Sequence, residues 1–154
     1  MKLVAPSILS ADFANLESEV KKVAAAGADW VHVDVMDGRF VPNITIGIPV
    51  VAALKKVCPL PLDVHLMILE PEKYVEDFVR AGADWLTIHI ESTQKVSETL
   101  KKIRSLGAKS GLTLRPGTIV ERTTPYLPLV DLVVVMTVEP GLAVPSFMHD
   151  QVAQ

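Results

Sequence analysis

The chain has one cysteine, Cys58, in 154 residues, so no internal disulfide can form and a reducing, cytoplasmic compartment is expected. No apolar run approaches the roughly 20 residues that a membrane helix needs. The opening MKLVAPSILS is interrupted by Pro6 and Ser7 too early for the apolar core of a signal peptide. Neither sign of charge dominates: 15 Lys and Arg stand against 18 Asp and Glu, a net charge of −3. That balance gives no electrostatic reason for nucleic acid or an anionic membrane as a partner. The Gly-x-Gly-x-x-Gly dinucleotide signature and the Walker phosphate loop are both missing, and no low-complexity linker divides the chain. What is present is apolar: 49% of residues are hydrophobic, enough for a substantial core, and the length favours a single domain over 1–154.

Six β-rich runs recur along the chain: LVAPSIL (3–9), WVHVDVM (30–36), LPLDVHLM (60–67), WLTIHIE (85–91), SGLTLRP (110–116) and DLVVVMTVEP (131–140). Helix-period stretches fill most of the gaps. DFANLESEVKKVAAAG begins at a plausible N-cap, Asp12, sets Phe13, Leu16, Val20, Val23 and Ala24 on one stripe, and stops at Gly27. EPEKYVEDFVRAG sets Tyr74, Val75, Phe78 and Val79 along one face and ends at Gly82, and STQKVSETLKKIRSLG repeats the design to Gly107. In 117–130, Pro125 and Pro128 limit any helix to about two turns. AAGADW and RAGADW echo each other at a separation of 55 residues, each marking a helix end that runs into a strand. Strands alternating with helices at this spacing imply βα units and a parallel sheet.

The strands are not uniformly apolar. His32/Asp34, Asp63/His65, Thr87/His89/Glu91 and Thr113/Arg115 each fall at period two, on one face of a strand. Strands of an open doubly wound sheet are covered on both faces and read as continuous apolar runs. A barrel with polar residues on its inner face explains the alternation better. The expected fold is therefore α/β, a TIM (β/α)8-type barrel that is incomplete, because six βα units are present and eight need roughly 200 or more residues.

Two imidazoles and a carboxylate, His32, Asp34 and His65, converge from neighbouring strands and suit a divalent ion. For His89, core packing or a second hydrogen-bonded layer is as expected as ligation. Asp63 could orient a histidine, but a hydrogen bond to backbone is the role expected of it, and Asp37 beside Gly38 is expected to cap amides in a turn. Met36, Met67 and Met136 each fall at a strand end, as gap fillers or as the wall of a mouth. Cys58 reads as an inert thiol and His149 as a solvated tail residue.

At these residues the chain resembles a known family. APSILSADF (5–13), HVDVMDGRFVPNITIG (32–47), LDVHLM (62–67), AGADWLTIHIE (81–91) and VMTVEPG (135–141) are similar to ribulose-phosphate 3-epimerase, in order, over essentially the whole chain. The resemblance implies a (β/α)8 barrel of the pentose phosphate pathway that interconverts ribulose 5-phosphate and xylulose 5-phosphate with a divalent metal, zinc, iron, manganese or cobalt. It implies His32, Asp34 and His65 as metal ligands, Asp34 also as one of two acid/base residues, and Ser7, His65, Gly141, Met36, Met67 and Met136 around the substrate. Its implied partner is a small-molecule pentulose phosphate.

Two features depart from the family pattern. The second acid/base aspartate, which is also the fourth ligand, belongs to a seventh strand and has no counterpart in this sequence, nor do the later phosphate-binding glycines. After Gly141, where the family continues Phe-Gly-Gly-Gln, this chain reads Leu142-Ala143-Val144-Pro145, which restricts the backbone and removes one amide donor. Family members often carry Asn or Lys in place of Arg115. Little or no turnover is therefore expected of these residues alone. The alternatives are a non-catalytic metal-binding scaffold, or a homo-oligomer completed by self-association. Another phosphosugar barrel enzyme is a weaker choice, and the strands carry no inward lysine for Schiff-base chemistry.

Overall fold

A computed structural model describes residues 1–141. Five parallel strands are laid down in sequence order: β1 (Val31–Met36), β2 (Leu62–Met67), β3 (Trp85–His89), β4 (Lys109–Leu114) and β5 (Leu132–Val135). The run expected at 3–9 is reduced to a single parallel bridge, Ser7 to His32, with the carbonyls of Val4 and Pro6 accepting amides around the start of β1. Pro6 has no N–H to give a ladder, and the chain turns at once into a 3₁₀ turn, Ile8–Ser10, capped by Ser7. The last strand is also shorter than its apolar run.

Helix α1 (Leu16–Ala25) precedes β1, and α2 (Ile48–Val57), α3 (Val75–Ala81) and α4 (Val96–Ser105) connect β1 to β4 in turn. Asp12 does cap, but it caps a 3₁₀ turn, Phe13–Asn15, ahead of α1; Phe13 is left exposed, and of its expected stripe Val20 is the fully buried member. Tyr74 likewise falls outside the expected stripe. It ends a 3₁₀ turn, Pro71–Lys73, with non-helical backbone, and it is exposed while Val75 and Phe78 are buried. Helix α2 was not singled out by periodicity; it starts with Pro49 in its first turn and buries Val51 and Leu54. Residues Val120–Leu129 form a 3₁₀ helix, in which Pro125 and Pro128 lack the amide an α-helix would use.

Side-chain alternation sorts the strands into two faces. Val31, Val33, Val35, Leu62, Val64, Leu66, Leu86, Ile88, Leu112 and Leu114 form the main core with Val20, Val51, Leu54, Phe78, Leu100 and Ile103 from the helices. Fully burying each such aliphatic side chain contributes about 1.5–3 kcal/mol. The opposite face carries His32, Asp34, Met36, Asp63, His65, Met67, Thr87 and His89, as a barrel interior should. Among the described residues, β5 pairs with β4 alone, so the described sheet does not close on itself.

One device recurs. Asp29, Asp84 and Asp131 each stand just ahead of a strand and accept the amide of a residue beginning the preceding β segment: Val4 at 2.7 Å, Leu62 at 2.8 Å and Ser110 at 3.0 Å. The first two are the aspartates of the repeated Gly-Ala-Asp-Trp motif, so the echo in sequence is an echo in hydrogen bonding. Gly82, just before the second copy, has φ 121°, and a Cβ there would lie 2.4 Å from Cγ of Lys55. Only glycine suits both conditions.

Candidate metal centre and active site

The site is built where β1 and β2 run side by side. Their parallel register sets Asp34 beside His65 and His32 beside Asp63. Period two points all four side chains to the inner face. Oδ1 of Asp34 lies 3.2 Å from Nε2 of His32 and 3.0 Å from Nδ1 of His65. Ser7, delivered by its bridge to His32, donates its hydroxyl to Oδ2 of Asp34 at 2.5 Å.

These charges and contacts shape one another. Burial alone would raise the Asp34 carboxyl, but hydrogen bonds and charge from His32 and His65 hold it well below the usual carboxylate range. Burial alone would lower His32, yet Asp34 and Asp63 outweigh it and bring that imidazole to about 10. His89 is fully buried, and desolvation lowers it to about 4. Glu91 is opposed by desolvation, but His89, the Arg115 amide and the Thr118 hydroxyl bring it to about 2.

The donor set fits a divalent cation. A ring nitrogen of His32, a carboxylate oxygen of Asp34 and a ring nitrogen of His65 lie within 4.8 Å of one another. Donors that share a metal at its usual bond lengths stand roughly 3–3.5 Å apart, close to the two distances from Asp34. Asp63 Oδ2 sits 2.7 Å from Nδ1 of His32, an outer carboxylate that leaves Nε2 facing the cluster. Asp63 thus orients a histidine, contrary to the backbone role expected for it. His89 is outside the three-residue cluster and contacts His65 instead, Nε2 to Nε2 at 2.8 Å.

A second layer packs beside the cluster. Met36 and Met67 are buried with Phe40 and Val41 in a small separate cluster. The loop that carries Phe40 is tied down by Asp37, which accepts the amides of Arg39, Phe40 and Leu69, each at 2.8 Å. Arg115 donates to the Phe40 carbonyl and lies 4.0 Å over its ring, and Phe40 packs on His89. His32, Asp34, His65, Met36, Met67, Met136, Glu139 and Gly141 line one cavity of about 210 Å³. Gly141 has φ 91°, and a Cβ there would lie 2.6 Å from Cβ of Val41, so this glycine lets the last described turn meet the Phe40 loop. Among the described residues, the Ser7 side chain meets the site through Asp34. Cys58 is half-buried, with its thiol 3.5 Å from the Leu60 carbonyl, and it does not line the cavity. His149 and the departure at Leu142–Pro145 lie outside the described residues. Glu91 is the participant that sequence reasoning left without a role in the site; its period-two spacing from His89 is the signal that could have found it.

Comparison with known proteins agrees with this geometry. The sequence profile of the Ribulose-phosphate 3 epimerase family matches residues 3–154. The chain is 57% identical over 152 residues to the chloroplastic ribulose-5-phosphate-3-epimerase of Arabidopsis thaliana, covering 97% of this chain and 54% of that one. It is 54% identical to the ribulose-phosphate 3-epimerase of Synechocystis, covering 96% and 65%, and 51% identical to that of Bacillus subtilis, covering 95% and 67%. The chain therefore spans between about half and two thirds of the length of these relatives. In fold alone it is similar to a tryptophan synthase alpha subunit from Legionella pneumophila, with a TM-score of 0.61 at 18% identity, covering 86% of this chain and 62% of that one.

Proposed function

This chain belongs to the ribulose-phosphate 3-epimerase family, and on that premise we propose that it forms one partial barrel domain over 1–154 whose site serves an isomerase. The reaction is the interconversion of ribulose 5-phosphate and xylulose 5-phosphate by proton transfer at C3. The observation that carries this reading is the meeting of Asp34 with His32 and His65 on the inner face, beside a cavity open to a small sugar phosphate.

His32, Asp34 and His65 would hold a divalent cation, with zinc, iron, manganese or cobalt as the candidates. When bound, the ion supplies a Lewis acid that stabilises negative charge developing beside the ketone. Asp34, ionised at neutral pH, starts as the proton acceptor on one face of C3, and Ser7 fixes its second oxygen. Met36, Met67 and Met136 supply a low-dielectric wall, and Gly141 lines the same cavity, beside the substrate. The partner is a small-molecule pentulose phosphate, with neither nucleic acid nor membrane. Among the described residues no helix is long and apolar enough to cross a bilayer. The lone cysteine favours a cytoplasmic setting.

A proton carrier on one face suffices for exchange without inversion. In D₂O with added metal, the chain is expected to wash deuterium into C3 of one of the two pentulose phosphates. Asp34→Asn should slow this by about 10²–10⁴-fold. Metal-loaded chain that exchanges neither epimer, or exchanges equally well after Asp34→Asn, would overturn the assignment. Native mass measured alongside reports whether a homo-oligomer forms.

A further inference from the structure

We propose that Arg115 is a positioning residue for substrate binding: it clamps the Phe40 loop across the carboxyl end of the strands and so fixes the part of the cavity wall that Gly141 supplies. The inference rests on that cavity being the substrate site, and it adds a residue that does not itself line it.

Arg115 directly follows β4, in phase with Gly111 and Thr113, so period two sends its side chain to the inner face. Its base is fixed. The Arg115 amide donates to Oε1 of Glu91 at 2.8 Å, and the same oxygen accepts the Thr118 hydroxyl at 2.8 Å. The guanidinium reaches the loop that follows β1, 75 residues away in sequence, and makes two contacts with one residue there. Nη2 donates to the Phe40 carbonyl, and the guanidinium carbon stands 4.0 Å from the centre of the Phe40 ring. His89 packs against the same ring, with centroids 4.8 Å apart. Arginine suits this task because its planar cation can lie over a ring and donate to a carbonyl at once, whereas a lysine ammonium is a point charge.

What the clamp holds bears on the cavity. The Phe40 loop is a short antiparallel excursion, with a bridge from Asp37 to Ile44 and the Gly38 amide donating to the Asn43 carbonyl at 2.8 Å. Its far end stands clear of the fold, with Ile44 76% exposed, while Phe40 and Val41 are buried beside Met36 and Met67. Val41 is the seat of the Gly141 turn: a Cβ added to Gly141 would lie 2.6 Å from Cβ of Val41 and 3.3 Å from Cδ of Pro42. Gly141 in turn lines the cavity with the three metal-binding residues. A shift of Phe40 therefore moves Val41, and with it the wall that Gly141 presents. His32, Asp34 and His65 stand on β1 and β2, whose register sets their positions without the loop.

The test uses the full chain loaded with zinc, with ribulose 5-phosphate as the probe and titration calorimetry as the measurement. A wall in place for only a fraction of the time weakens apparent affinity by the inverse of that fraction. Arg115→Met is expected to weaken binding about tenfold, Arg115→Lys by less, and Phe40→Leu, which keeps the charge, by about threefold. Zinc affinity in both Arg115 variants should stay within about threefold of the parent, short of the loss that follows removal of a ligand's own partner. Amide hydrogen exchange in Arg115→Met should quicken at residues 38–45 and 136–141 while β2 and β3 keep the parent's protection. An unchanged affinity in Arg115→Met would overturn the inference. So would a loss in Arg115→Met with Phe40→Leu binding as the parent does, since the cation would then be meeting the phosphate itself. Protection lost throughout the sheet would reduce Arg115 to a stabilising residue. Should Arg115→Met not fold, Phe40→Leu still reads the clamp, and an affinity equal to the parent's would overturn it. A zinc-loaded parent that binds no ribulose 5-phosphate would overturn the substrate reading beneath; the clamp is then decided by exchange alone, and unchanged rates at 38–45 and 136–141 would remove it.

Discussion

Trp30 and Trp85 stack with ring centroids 4.6 Å apart and planes 28° from parallel, although their strands are separated by β2. Strands two apart stand about 9.5 Å from each other in a flat sheet. The pair meets because the sheet is concave, with both rings one step of period two before His32 and Thr87 on the inner face. The tryptophans thus form a floor beneath the metal-binding residues. A double-mutant cycle with Trp30→Ala and Trp85→Ala should give a coupling of about 0.5–1.5 kcal/mol in chemical denaturation. Additive effects would mean the rings share no stabilisation.

The 2.7 Å contact from Asp63 to His32 predicts that Asp63→Asn weakens metal binding with the three ligands intact. A loss of about 10–100-fold in zinc affinity is expected, with native-like circular dichroism. An unchanged affinity would reduce Asp63 to a packing residue.

Stability should respond to acid through Glu91. Its carboxyl sits at about 2 in the fold against an ordinary 4.5. Between those values the unfolded chain binds the proton more readily, so its contribution is complete above pH 4.5 and is lost as pH falls toward 2. In metal-free protein, the denaturant midpoint of the parent should therefore fall more steeply from pH 5.5 to pH 3 than that of Glu91→Gln. Parallel curves would contradict the hydrogen bonds assigned to this carboxylate.

Gly111 lies in β4 directly across from Thr87 of β3, and a Cβ at that position would stand 2.1 Å from the Thr87 hydroxyl. Gly111→Ala should cost about 1–3 kcal/mol by overpacking, and Thr87→Ala in the same chain should recover part of it. Thermal unfolding of the single and double variants checks both halves.

Period-two alternation carried most of what could be read in advance. It placed His32, Asp34 and His65 on one face, and the register of β1 against β2 brought them together as expected. Alternation says nothing about distances between strands, and Asp63 shows the consequence. Its spacing from His65 was plain, yet its bond is to a histidine 31 residues away. The contact of His65 with His89 was hidden for the same reason, since it crosses from β2 to β3. Local propensity failed elsewhere. Pro6 withheld ladder hydrogen bonds from an apolar run, and the 3₁₀ turns at Phe13–Asn15 and Pro71–Lys73 moved Phe13 and Tyr74 off the helical stripes assigned to them. Helix α2 went unmarked because Gly47 provides no side-chain cap and its residues are mostly apolar, without a clear polar face.

The aspartates that precede β1, β3 and β5 have a bearing on assembly. Each reaches back only 25, 22 or 21 residues to fasten the segment before it. Closing so short a loop costs little entropy, and contacts of low sequence separation form quickly. The clasps fasten alternate staves of the curved wall, the Val4 segment, β2 and β4, each held by the stave that follows it.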